Sequence, residues 1–183
     1  MASVLVPLAQ GCEELEAVTI IDLLRRAEIH VVTASLDDAP VHASRKTILL
    51  ADTTLDDALK QEFDMLALPG GLPGADHLNN DPRIQALLKK MVRDNKFIAA
   101  ICAAPKVLAT AGLLDGKNAT AYPGTLEKMN LPSTTLIPQA VVVDGKVITS
   151  RGPGTAMDFA LTLVERLLDK NTRDNVEAAL VRT

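Results

Sequence analysis

The chain contains no tryptophan, one tyrosine and three phenylalanines, so its 48% hydrophobic share must come chiefly from Leu, Ile, Val and Ala. Such a core suits a parallel sheet covered by helices. The same scarcity removes the aromatic platforms on which single-strand binders stack bases. Cations are also in short supply: 19 Lys and Arg stand against 23 Asp and Glu, giving a net charge of −4, and they are scattered along the chain. Nucleic acid is therefore excluded as the main partner. Two cysteines are too few for a secreted disulfide framework, and Met1-Ala2-Ser3-Val4 lacks the basic segment and long apolar region of a signal peptide. A cytoplasmic location is expected. No apolar run approaches the roughly 18 residues needed to cross a bilayer, so no membrane partner is expected either. Repeats, low-complexity tracts and linkers are missing, and residues 1–183 are read as one domain.

What is present is an alternation of apolar strands and amphipathic helices. Ser3 to Leu8 reads as a first strand, and Gly11-Cys12 as a turn. A helix from Glu13 to Arg26 follows, opened by acids and closed by arginines in accord with the helix dipole. His30 to Ala34 is a second strand. Val41-His42 and Thr47 to Leu50 form a hairpin around Ala43 to Lys46, and Asp52 to Leu59 is a short helix. Met65 to Leu68 is a core strand ended by Pro69-Gly70-Gly71-Leu72-Pro73-Gly74, read as a rigid loop that exposes amides. Pro82 starts a helix running to about Asn95. Phe97 to Ile101 is a buried strand, and another short strand lies near Ala119 to Tyr122. A hairpin turns at Asp144-Gly145, a long helix ends near Leu168, and Asn171 opens the last helix. The alternation predicts an α/β fold with a mostly parallel sheet, helices on both faces and ligands at the carboxyl ends of the strands.

Ile101-Cys102-Ala103-Ala104-Pro105 passes from strand directly into helix, where α/β enzymes carry nucleophiles. Free amides and the helix dipole predict that the Cys102 thiol ionises more readily than free cysteine. A small buried filler is the competing role that the junction alone leaves open. Of the three histidines, His30, His42 and His77, none adjoins the cysteine in sequence, although His77 lies just past the glycine loop. Glu13, Glu14 and Glu16 open the first helix, and one of them can turn inward, keep its proton and meet the thiol. Composition does not say which.

Gly11 to Val18, Leu68 to Gly71, Ala99 to Pro105 and Thr149 to Thr155 together carry a resemblance to the ThiJ/PfpI superfamily. Within it the chain resembles the branch of the human Parkinson-linked protein deglycase and its bacterial relatives. The resemblance implies a flavodoxin-like three-layer sandwich with a nucleophile elbow. It assigns Cys102 as the reactive cysteine, Glu16 as its protonated partner, and the Gly71 and Ala103 amides as the oxyanion pocket. Tyr122 stands where the human relative has a histidine, and Ala103 stands where the peptidase-like branch has one, which argues against proteolysis. Arg26 and Arg45 match arginines that line the pocket entrance across a homodimer. Cys12, alanine in the human relative, is a candidate resolving thiol or a silent loop residue. The implied activity is glutathione-independent conversion of small reactive dicarbonyls to hydroxy acids, or removal of their early protein adducts, with no metal or organic cofactor. The implied alternative is a cysteine-based oxidative-stress sensor or redox-regulated chaperone.

Overall fold

A computed structural model describes residues 1–182. In chain order the elements are β1 (Ser3–Leu8), α1 (Glu14–Arg26), β2 (His30–Ser35), β3 (Val41–His42), β4 (Ile48–Leu49), β5 (Thr53–Thr54), α2 (Leu55–Ala58), β6 (Met65–Leu68), α3 (Gly74–Asn80) and α4 (Pro82–Arg93). They continue with β7 (Phe97–Ile101), α5 (Pro105–Thr110), β8 (Asn118–Ala119), β9 (Thr135–Leu136), β10 (Val141–Asp144), β11 (Val147–Ser150), α6 (Ala156–Leu167) and α7 (Lys170–Ala179).

The main sheet has seven strands in the order β10-β11-β7-β6-β1-β2-β5, all parallel except the β10–β11 hairpin. Side-chain alternation explains why helices cover both faces. Val4, Val6 and Leu8 of β1 join one core with Ile20 and Leu24 of α1 and Phe159 and Leu163 of α6. Leu5 points the other way, into a core with Leu55, Ile84, Leu88 and Val107. The result is a three-layer α/β sandwich whose parallel strands follow the doubly wound, flavodoxin-like order. The crossover reverses between β1 and β6, and ligand sites open there, beyond the carboxyl ends of the strands.

Several boundaries differ from the sequence reading, each because a tertiary contact claims the residue. The short helix begins at Leu55 rather than Asp52, since Thr53–Thr54 pair with β2 and Asp52 accepts from the Thr33 amide and hydroxyl. Glu13 caps α1 instead of entering it, and its carboxylate accepts from the Ser44 hydroxyl at 2.8 Å. The strand near residue 119 stops at Ala119, because the amides of Thr120 and Tyr122 are spent elsewhere. Helix α3, absent from the sequence reading, starts directly after the glycine-rich loop. No helix of the described residues is long and apolar enough to cross a membrane.

Candidate active site

Strand β7 delivers Cys102 to the carboxyl edge of the sheet, and there the chain reverses. Cys102 has φ +64°, a left-handed conformation that costs a non-glycine residue roughly 1 kcal/mol. Two backbone bonds hold it. Its N–H donates to the Ser150 carbonyl at 3.0 Å, and its carbonyl accepts from the Tyr122 N–H at 2.8 Å.

Around this cysteine the glycine loop folds against the turn that precedes α1. The Glu13 N–H donates to the Gly70 carbonyl at 2.9 Å, and the Gly74 N–H to the Gly11 carbonyl at 3.3 Å. Gly71 has φ +86°, and a Cβ there would lie 2.3 Å from the Glu13 nitrogen. Only glycine fits. A Cβ on Gly70 would lie 2.6 Å from the Cys102 Cβ and 2.8 Å from Glu16 Oε2, so the thiol and the carboxyl flank one small space.

Of the three glutamates, the fold selects Glu16. It is completely buried, whereas Glu13 and Glu14 turn outward to Ser44 and the amides of the β3–β4 loop. Burial is outweighed by the Glu14 amide itself, then by the Arg45 and Thr47 amides and the Ser44 hydroxyl, which together hold the Glu14 carboxyl down at about 2. Glu16 Oε2 accepts from the Gly70 N–H at 2.8 Å, while Oε1 is buried without a hydrogen-bond partner. Burial raises the Glu16 carboxyl to about 7, against the opposing pull of the Gly70 amide and the Cys102 side chain. A protonated carboxyl also suits the unpartnered oxygen, because an O–H there can donate to the neighbouring sulfur.

The thiol departs from the sequence expectation. Burial, and then the charge and hydrogen bond of Glu16, push Cys102 up to about 12, outweighing the amides of Gly71 and Ala103 that favour its anion. Helix α5 contributes little to that anion: it spans six residues and opens with Pro105, which has no N–H. The ready thiolate expected from the helix dipole is thus corrected to a coupled pair. Two adjacent buried groups that both resist charge release the first of their two protons near neutrality and hold the remaining one between them, and their titration belongs to the pair. As Glu16 takes that proton, its repulsion disappears and both amides act on the sulfur alone.

The DJ-1/PfpI family model matches residues 2–166. The chain belongs to the DJ-1/PfpI family. It is 42% identical over 181 residues to the Arabidopsis thaliana protein named DJ-1 homolog A, which covers 98% of this chain but 46% of that relative. The chain thus spans about half the length of that relative. A Caenorhabditis elegans relative named glutathione-independent glyoxalase DJR-1.2 is 36% identical over 166 residues, 91% of this chain and 88% of its own. The crystal structure of Drosophila melanogaster DJ-1beta superposes with a TM-score of 0.95 at 40% identity, covering 100% of this chain and 98% of that one.

Within this DJ-1/PfpI fold the remaining candidates separate. Tyr122 serves through its backbone; the residue is 52% exposed, and its ring lies over Gly152. Arg45 is exposed and offers its backbone amide to Glu14. Arg26 pairs with Asp22 at 2.8 Å, ten residues along α1 from Glu16, a rise of about 15 Å. One chain therefore does not bring Arg26 to the sulfur. All three histidines are exposed, and His77 lines a separate depression with Gln10 and Asn80. Cys12 is a free, fully buried thiol raised to about 12 by burial and then by Glu14, and its carbonyl accepts from the Ser44 N–H. Sequence reasoning missed Ser150 and Gly70. Ser150 clamps Cys102 through a carbonyl that every residue type possesses, so its identity gave no signal.

Proposed function

We propose that this protein converts small reactive dicarbonyls to 2-hydroxy acids through Cys102 and Glu16, with methylglyoxal to lactate as the representative reaction. The observation that carries the reading is the buried Glu16 carboxyl placed against the strained Cys102, with the Gly71 and Ala103 amides acting on the same sulfur. The family membership and the glyoxalase name of the Caenorhabditis elegans relative support it.

In this mechanism the sulfur adds to the aldehyde carbon. A C–S bond forms, the carbonyl π pair moves to oxygen, and the thiol proton passes to Glu16. The amides of Gly71 and Ala103 hold the oxyanion, the task of an oxyanion hole. The protonated Glu16 then gives its proton to that oxygen, which yields a hemithioacetal and restores the carboxylate. Glu16 next takes the proton from the former aldehyde carbon, giving an enediolate, and returns it to the neighbouring carbon, while the hydroxyl proton moves from the former aldehyde oxygen to the former ketone oxygen, leaving a thioester. Water cleaves the thioester to lactate and frees the thiol, so the sum is methylglyoxal plus water to lactate. A carboxyl near 7 is matched to both directions of transfer at neutral pH. Removal of early dicarbonyl adducts from proteins reaches the same hemithioacetal when the sulfur displaces the protein's amine or thiol from the former aldehyde carbon and the thiol proton passes to that leaving group. Lactate formation, followed by enzymatic assay, is expected to vanish in Cys102→Ser; full activity in that variant would reject the mechanism.

The reading includes a homodimer. Leu15 and Val18 are exposed on the face of α1 that also carries Asp22 and Arg26, and Ile48 and Leu50 are exposed on and beside β4. A second copy seated on this apolar face would bring its arginines toward the site entrance. Sedimentation is expected to give a dimer for the wild type and a monomer for Val18→Asp; a monomeric wild type would contradict this.

A further inference from the structure

A depression of about 140 Å³ is lined by Thr120, Ala121 and Pro123 from one segment and by Arg151 from another. Both segments are tied to the backbone of the nucleophile. Tyr122, between Ala121 and Pro123, donates its N–H to the Cys102 carbonyl, and Ser150, immediately before Arg151, accepts from the Cys102 N–H. Leu126 and Ile137 give the depression's lining an apolar part. Two charged residues line it. Glu127 accepts from the Gly124 N–H at 3.0 Å, while the Arg151 guanidinium makes no ion pair and no side-chain hydrogen bond among the described residues.

We propose that this depression binds small 2-hydroxy monocarboxylates, with Arg151 as the residue that reads the carboxylate. The proposal rests on the reaction above, whose product belongs to that class. Arg151 is half-buried, and a guanidinium with its donors unspent is completed by a planar anion, which it meets as a two-pronged fork. A cavity of roughly 150 Å³ admits benzene, a molecule of six heavy atoms, and a three-carbon hydroxy acid also has six. Glu127 narrows the class: its carboxylate accepts from a ligand hydroxyl and repels a second negative charge.

The test uses Cys102→Ser, in which no turnover occurs, so that binding is read alone. Lactate, propionate and succinate are titrated separately while the backbone amide resonances of residues 120–122, 124–127 and 151 are followed. Lactate is expected to saturate shifts at these residues, propionate, which lacks the hydroxyl, to bind more weakly, and succinate not to bind. Adding Arg151→Met should weaken lactate roughly 10- to 100-fold, the loss of a charged bidentate contact. Arg151→Lys, which keeps the charge without the fork, should show a smaller loss and serves in place of the methionine variant if that fails to fold. Absence of saturable shifts, tighter binding of propionate, or equal affinity in folded Arg151→Met would each overturn the proposal. Methylglyoxal turnover by the wild type is measured separately, so a failed reaction and a failed subsite are told apart.

Discussion

Gly70→Ala is expected to lose about 3 kcal/mol of stability or more, and to lower dicarbonyl turnover at least ~100-fold in whatever fraction remains folded. The added methyl would sit 2.6 Å from the Cys102 Cβ, 2.8 Å from Glu16 Oε2 and 2.8 Å from the Ile101 carbonyl. None of these three can yield cheaply. Ile101 is the last residue of a central strand, Cys102 is clamped through both its N–H and its carbonyl, and Glu16 is wholly buried on α1. Relief would have to come from separating the thiol and carboxyl, which is why stability and activity fall together. Gly154→Ala is the matched control, since its Cβ would meet nothing within 4 Å. Urea denaturation and lactate assays of the two variants check the contrast; equal behaviour would contradict the packing described.

Glu16→Gln is expected to lower lactate formation by roughly 10²- to 10⁴-fold, the usual worth of a positioned general acid–base. Its volume and its hydrogen bond from the Gly70 N–H are retained, because an amide oxygen can replace Oε2. What disappears is a group able to take a proton from one carbon and return it to the next. The sulfur stays in place between the Gly71 and Ala103 amides, so Cys102 of this variant should still be alkylated to one equivalent. That combination separates a proton-relay role from a scaffolding role. A folded variant that loses alkylation together with turnover would point to scaffolding, and one that keeps full turnover would remove Glu16 from the reaction.

Much of the fold was legible because the strands alternate cleanly and the helices carry matching apolar stripes. Val4, Val6 and Leu8 on one face of β1 and Leu5 on the other already require two covering layers. Cys102 was legible as a candidate from its position at a strand end. Glu16 was not separable from Glu13 and Glu14 by composition, because the β3–β4 loop, remote in sequence, decides which glutamates are drawn outward. The family resemblance singled it out. The ionisation of Cys102 was misjudged for a related reason: a helix start in sequence says nothing of the carboxyl that α1 brings beside the sulfur, nor of how little of α5 faces it. Helix α3 escaped notice because Gly74 and a run of polar residues read as loop. It forms where the Gly71 carbonyl accepts from the Ala75 N–H and Ala75 and Leu78 are buried.

The most direct measurement places ¹³C labels on the Cys102 Cβ and the Glu16 carboxyl carbon and follows both from about pH 4 to about pH 10. A pair that holds one proton in common should show both carbons responding to a single shared transition, with the second proton retained to the top of that range. Two independent transitions, the carboxyl near 4.5 and the thiol near 9.0, would show groups that do not sense each other and would contradict the chemistry assigned to them.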